Sequence, residues 1–418
     1  MNAIITPKRL SGDVTVPSSK SASHRAIICS ALAKGKSRIK GVSLSDDILA
    51  TLGAIKALGA SVETDGDDYI ITGITEPKKS ANVDCGESGS TLRFFIPIAA
   101  ALGASAVFEG HGRLVERPLS TITNLLSEHG ITCRYTSNVN LPLEISGKLN
   151  EDRFVIGGSV SSQYITGLLF ALAYIGKEAE IVISSPLESA GYVDMTVDTL
   201  SQFGAKIEKT ECGYLVHPSV LTATDITVEG DWSQAAFFLA AAALGGEIKI
   251  HGLNKNSLQG DRDCERIFRE IGTKIEWKDG VLHAEMGELM PVSIDASQIP
   301  DIIPPIAAVL GQCEGRSTIS NAYRLRIKES DRLSAIARGL VMNGISVVEG
   351  RDILVIDGER LKGGNIDGFA DHRIVMAFSI AAAYAENESI ISCAEAVNKS
   401  YPKFFEDFAS IGGAVNVI

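Results

Sequence analysis

One local pattern returns along the 418 residues at an interval of about seventy, and it restricts the possible folds more than any single motif does. The pattern is an amphipathic helix, a glycine, a short alternating strand, a turn and a second strand. DDILATLGAIKALGASVETDGDDYIITG and ESDRLSAIARGLVMNGISVVEGRDILVIDG are two of its copies. The helix-ending glycines are Gly59, Gly130, Gly204, Gly272, Gly344 and Gly412, spaced 71, 74, 68, 72 and 68 residues apart. Glycine at that place is expected to take the left-handed conformation that stops a helix and turns the chain into a strand. Six such units account for the whole length.

A second helix recurs out of phase with the first. Its copies are SSKSASHRAIICSALA, GESGSTLRFFIPIAAAL, SVSSQYITGLLFALA, DWSQAAFFLAAAAL, IPDIIPPIAAVL and DHRIVMAFSIAAAY. Each opens on polar residues and continues apolar all round, as a helix enclosed by other elements does. The strands alternate and suit sheets with one wet face. The expectation is therefore a mixed α/β (α+β) protein of six βαβαββ-like repeats, three per lobe, with buried helices inside outer sheets. A strand over residues 2–17 would complete the sixth unit. The chain would then cross twice between lobes formed by 19–230 and by 1–18 with 231–418, with a hinge as the natural consequence.

Composition narrows the function classes. A formal net charge of −12 argues against a general nucleic-acid binder. The seven cysteines form no CxxC pair and the histidines no HxxxH pair, so neither a disulfide framework nor a metal site is expected. The start MNAIITPKRLSG lacks a signal-peptide core, and the longest apolar run, Ala235 to Leu244, is too short to span a bilayer. A cytoplasmic monomer acting on small molecules, without cofactor and without nucleic-acid or membrane partner, is the resulting expectation.

The polar openings of the buried helices carry the chemistry. Ser, Asp and Gly there are ordinary caps. Lys20 and Arg25, however, put cations where the helix dipole disfavours them, and a bound anion would explain that. Arg93, Arg117 and Arg373 pose the same question. Ser161, Ser162 and Gln163 are neutral donors suited to phosphate or hydroxyl groups. In RLRIKESDRLS, a helix would set Lys328 and Arg332 on one face with Glu329 beside Arg332. That cluster reads either as a solvated salt-bridged face or as an acid/base group oriented by cations. Asp301 is either a cap or a catalytic carboxylate. No P-loop, GxGxxG or GxSxG motif is present.

PSSKSASHRA, ESGSTLR, ERP at 116–118, SVSSQY, SAGYVD, IPD at 299–301, RIKESDRL, DHR at 371–373 and KSYPKFF together resemble the 5-enolpyruvylshikimate-3-phosphate synthase family of enolpyruvyl transferases, along essentially the whole chain. The resemblance implies a two-lobed fold closing over its substrates. It also implies transfer of the enolpyruvyl group of phosphoenolpyruvate to the 5-hydroxyl of shikimate 3-phosphate, with no metal or organic cofactor. It implies Lys20, Ser21, Arg25, Ser161, Ser162, Gln163, Ser189, Tyr192, Asp301 and Lys328 around shikimate 3-phosphate. Lys20, Gly89, Arg117, Gln163, Arg332, Arg373 and Lys399 would surround phosphoenolpyruvate. Asp301 would be the general base and Glu329 the proton shuttle at the methylene carbon, with Lys20 completing the catalytic set. Glu87 and Arg324 depart from the family pattern, each standing where an Asn is common. The alternatives are the related transferase acting on UDP-N-acetylglucosamine and a non-catalytic ligand-binding relative. EGHGRLVERPL lacks the loop cysteine usual in the first, and the residues expected to be lost in the second are all present.

Overall fold

The computed structural model describes residues 1–418. The chain forms two compact units, one inserted in the other: Ser18–Val228, and Met1–Pro17 with Glu229–Ile418. We call them the inserted and the split unit.

Six four-stranded sheets, three in each unit, share one strand order. In the inserted unit, Ser80–Asp84 runs parallel to Ser105–Glu109, which pairs antiparallel with Leu143–Ser146, and that strand with Thr132–Tyr135. Parallel neighbours need a crossover, and helix Gly89–Leu102 supplies it. Helices Lys20–Leu32, Gly89–Leu102 and Ser162–Ile175 are buried along most of their length in a single core. Helices Trp232–Ala243, Ile303–Leu310 and His372–Ala382 occupy the equivalent place in the split unit and are buried along their full length. Their Ala, Phe and Ile content explains the placement, since no face of these helices is polar beyond the first turn. No helix is long and apolar enough to cross a membrane, and all seven cysteines are free thiols.

The six helix-ending glycines have positive φ, from 78° at Gly130 to 120° at Gly59. At Gly272 a Cβ would also overlap the carbonyl oxygen of Glu288.

Two sequence expectations need correction. Residues 2–17 form two strands rather than one. Asn2–Thr6 lies between Ser389–Ser392 and Ala414–Val417, while Ser11–Thr15 pairs in parallel with Glu247–His251 in another sheet. Pro7 has no N–H and cannot continue a central ladder, so the first strand stops at Thr6. The RLRIKESDRLS segment is likewise not one helix. Tyr323–Ile327 is a 3₁₀ turn, Lys328 is extended at φ −88° and ψ −157°, and the α-helix begins at Arg332. Asp331 sets that boundary. Its Oδ1 accepts the Ser334 N–H at 3.1 Å, and its Oδ2 is held by Arg326 at 2.9 Å.

Candidate functional site

In the inserted unit, serines cap the three buried helices. Ser19 accepts the Ala22 N–H, Ser88 that of Thr91 and Ser161 that of Gln163. A neutral cap satisfies an N–H without cancelling the positive helix end. Cations gather there nonetheless. Arg25 is 2% exposed and donates to the Ser21 carbonyl at 2.7 Å, the Tyr192 carbonyl at 2.7 Å and Thr196 Oγ1 at 2.9 Å. All three acceptors are neutral, and burial pushes the guanidinium down to about 10. Two of its five N–H groups remain beyond these bonds. Its plane lies near the rings of Phe94 and Tyr192, at 5.6 and 5.9 Å. Ser189, beside Tyr192, takes a left-handed φ of 55° at the start of helix Ala190–Gln202 and is buried. Ser162 is the first residue of its helix and also buried.

Lys20 opens its helix and pairs with Asp47 at 2.6 Å. Gly89 opens another, and the Arg117 guanidinium lies directly on it: a Cβ at Gly89 would stand 2.6 Å from Arg117 Nη1. Only glycine lets that cation approach the helix start so closely. Gln163 bridges two of the openings, accepting from Arg93 at 2.8 Å and donating to Ser90 at 2.9 Å.

The split unit gathers opposite charges. Asp301 does not cap its helix, where Ile302 holds the cap position. Its Oδ1 accepts from Lys328 at 3.2 Å and from Arg332 at 2.8 Å, and Arg373 lies 3.6 Å from its Oδ2. Arg373 also donates to the Asp301 carbonyl at 2.8 Å, fixing the backbone as well as the carboxyl. Burial alone would raise the Asp301 carboxyl, but Lys328, Arg373 and Arg332 together hold it well below the usual carboxylate range. Burial pushes the Lys328 ammonium down to about 8, against the attraction of Asp301.

Arg332 is 1% exposed and joins three carboxylates: Asp301, Glu329 and Asp371. Burial opposes its charge, yet Asp371, Glu329 and Asp301 keep the guanidinium more firmly protonated than usual. Asp371, fully buried, also accepts from Ser330 at 2.9 Å and caps helix His372–Ala382 through the Arg373 N–H at 3.0 Å. Arg373 reaches Ser233 at 3.1 Å, and Ser233 donates to Asp231, the cap of helix Trp232–Ala243. Lys399 ends the 3₁₀ turn Ala394–Lys399 and is buried. Its neighbour Ser400 accepts from Gln234 at 3.3 Å.

A family model described as EPSP synthase (3-phosphoshikimate 1-carboxyvinyltransferase) matches residues 4–408. The chain belongs to this family. The 3-phosphoshikimate 1-carboxyvinyltransferase of Clostridium kluyveri is 43% identical over 416 residues, covering 99% of this chain and 97% of that protein. That of Clostridioides difficile is 42% identical over 427 residues, covering 99% and 98%. An EPSP synthase structure from Acinetobacter baumannii superposes with a TM-score of 0.82 at 26% identity, with both chains covered in full.

The geometry gives several residues partners that spacing alone left unassigned. Asp371 was visible in the DHR motif, but nothing in spacing alone links it to Arg332, 39 residues away. Asp47, in the first turn of helix Asp46–Leu58, proves to be the ion-pair partner of Lys20, 27 residues away in sequence. Arg93 stood out as a cation near a helix start, and its partner proves to be Gln163. Of the two departures from the family pattern, Glu87 lays its carboxylate against Gly112, where a Cβ would overlap it. Arg324 is buried, donates to the Ser297 carbonyl at 3.4 Å and bears on Lys328, whose charge it disfavours.

Proposed function

We propose that the chain performs its family's reaction with Asp301 as general base, Glu329 as proton shuttle and Lys20 as the third catalytic group. The reaction transfers the enolpyruvyl group of phosphoenolpyruvate to shikimate 3-phosphate in the shikimate pathway. Proton delivery by Glu329 to the methylene carbon makes the adjacent carbon cationic. The 5-hydroxyl attacks that carbon while Asp301 takes its proton. The phosphorylated ketal then loses phosphate and a methyl proton, which restores the enol ether.

The observation that carries this reading is a carboxylate held among three cations with a second carboxylate on the same arginine. Such cations suit the phosphate and carboxylate groups of both substrates. Asp301 in the empty protein is ionised but weakly basic, because its charge is shared with Lys328, Arg332 and Arg373. Anionic substrate drawing on the same cations raises its basicity where the proton must be taken. Arg117 with Gly89, and Arg332, Arg373, Lys399 and Gln163, are the groups proposed for phosphoenolpyruvate. Ser21, Arg25, Ser161, Ser162, Gln163, Ser189, Tyr192, Asp301 and Lys328 are those proposed for shikimate 3-phosphate, with Lys20 shared.

The protein is proposed to work as a cytoplasmic monomer, which its free thiols and a residue set drawn from one chain support. The test is phosphate release on mixing phosphoenolpyruvate with shikimate 3-phosphate. Release is the expected result. A folded sample that releases none would overturn the proposal, and release with UDP-N-acetylglucosamine in place of shikimate 3-phosphate would select the related transferase instead.

A further inference from the structure

A buried hydrogen-bond chain runs through the inserted unit beside the residues assigned to phosphoenolpyruvate. Helix Lys20–Leu32 carries Lys20 and His24 one turn apart, and helix Asp46–Leu58 carries Asp47 and Thr51 one turn apart. The two pairs meet rung by rung. Lys20 binds Asp47 at 2.6 Å, and one turn further along, His24 Nδ1 lies 2.7 Å from Thr51 Oγ1. From there the chain passes to Thr91 Oγ1 at 2.7 Å and on to Ser88 Oγ at 2.8 Å. Ser88 is the cap of helix Gly89–Leu102. The line His24–Thr51–Thr91–Ser88 thus ties three helices near their starts, and each of its four side chains is at most 1% exposed.

The protons in that line run one way. A threonine hydroxyl has a single hydrogen. Thr91 gives its hydrogen to Ser88, so Thr51 must give its own to Thr91. His24 must then donate Nδ1–H to Thr51, which leaves Nε2 as a bare nitrogen with no hydrogen-bond partner. Burial is the main cause that drives the His24 ring down to about 3, so it stays neutral beside Lys20 and Arg25. An orphaned buried nitrogen is a cost that apolar packing of the same three helices would avoid. What the polar line adds over apolar packing is direction: hydrogen bonds fix the rotation and register of each helix start, and dispersion contacts do not.

We propose that His24, Thr51 and Thr91 are positioning residues that hold the helix start bearing Gly89 in register for phosphoenolpyruvate. The inference rests on the reading of Gly89, with Arg117 lying on it, as a group for that substrate. None of the three positioning residues is assigned to the reacting atoms, so their loss weakens binding of one substrate and spares the chemical step.

The test uses Thr51→Val, which keeps the shape and removes the hydroxyl. The KM for phosphoenolpyruvate is expected to rise about tenfold, with kcat and the KM for shikimate 3-phosphate changed less than about threefold. Thr51→Ser restores the hydroxyl and is expected to return the KM to near the parent value. Thr91→Val cuts the next link and should give the same split, and it carries the test if Thr51→Val does not fold. A Thr51→Val enzyme with a lower Tm but an unchanged KM for phosphoenolpyruvate overturns the proposal. So does a Thr51→Ser enzyme no better than Thr51→Val. Failure of the parent enzyme to release phosphate would instead defeat the assigned reaction, so the two failures are told apart.

Discussion

The inserted and split units build the same frame of three buried helices and three outer sheets, yet they cap those helices with different chemistry. Serines close the helix starts in the inserted unit, whereas Asp231 and Asp371 close two of those in the split unit. A serine satisfies the orphan N–H groups and leaves the partial positive charge of the helix end in place. An aspartate cancels that charge and has a second oxygen with which to hold an arginine. Asp371 does this, accepting the Arg373 N–H on one oxygen and Arg332 Nε on the other. At these helix starts of the inserted unit, Arg25 accordingly rests on two carbonyls and a threonine, and Arg93 on the Gln163 amide. The cations of the split unit are balanced by carboxylates. One frame thus keeps the positive helix ends in the inserted unit and cancels two of them in the split unit, depending on a single side chain at each of those starts. The Lys20–Asp47 pair is the exception, placing a carboxylate among the serine-capped helices.

That contrast can be broken experimentally. Asp301→Asn removes the charge from the centre of the split-unit cluster and should lower kcat by roughly 10² to 10⁴, the range for loss of a general base. Steady-state kinetics with both substrates saturating reads it, and unchanged turnover would remove Asp301 from the chemistry. Asp371→Ala leaves Arg332 buried without its fully buried partner and should cost about 3 kcal/mol of stability, measured by urea unfolding. Ser161→Ala in the inserted unit should cost only about 1 kcal/mol, the ordinary loss of a neutral cap. Equal losses at the two sites would contradict the distinction drawn between them.

Lys328 gives a test by pH. Its ammonium is held down to about 8, so it is charged below that pH and neutral above it. kcat/KM is expected to fall as pH rises through 8, and Lys328→Arg should carry the alkaline limb upward because a guanidinium stays charged. Stability moves the other way. Between about 8 and the ordinary 10.5, the folded protein gives up a proton that the unfolded chain keeps, so stability rises with pH in that window. Gly89→Ala is the smallest change and belongs to the inserted unit. Its methyl would push the Arg117 guanidinium aside, raising the KM for phosphoenolpyruvate severalfold with less effect on kcat. An equal rise for shikimate 3-phosphate alone would contradict the placement of Arg117.

The sequence made legible what depends on local periodicity. The glycine spacing and the apolar helices mark where strands and buried helices fall, because both patterns are written in neighbouring residues. The polar openings point to most of the side chains that the structure gathers at helix starts. What escaped is what depends on long-range meeting. Asp301 has no cation near it in sequence and three in space. Lys328 and Arg332 look like one helical face, but Asp331 captures the helix start and Arg326, leaving Lys328 in an extended segment. Residues 2–17 read as one alternating strand because the pleat period cannot tell which sheet a strand will join. Only Pro7 hints at the break.

The placement of Asn2–Thr6 has a consequence for how the protein is made. This strand leaves the ribosome long before its partners Ser389–Ser392 and Ala414–Val417, which lie far along the chain. At roughly 5 to 20 residues per second, it waits about 20 to 80 s for the neighbours on either side of it. Meanwhile the inserted unit, contiguous from Ser18 to Val228, emerges whole and can close its own core. Nascent chains stalled before residue 389 would therefore carry one finished body and one open sheet position, held ready by five residues at the far end of the chain.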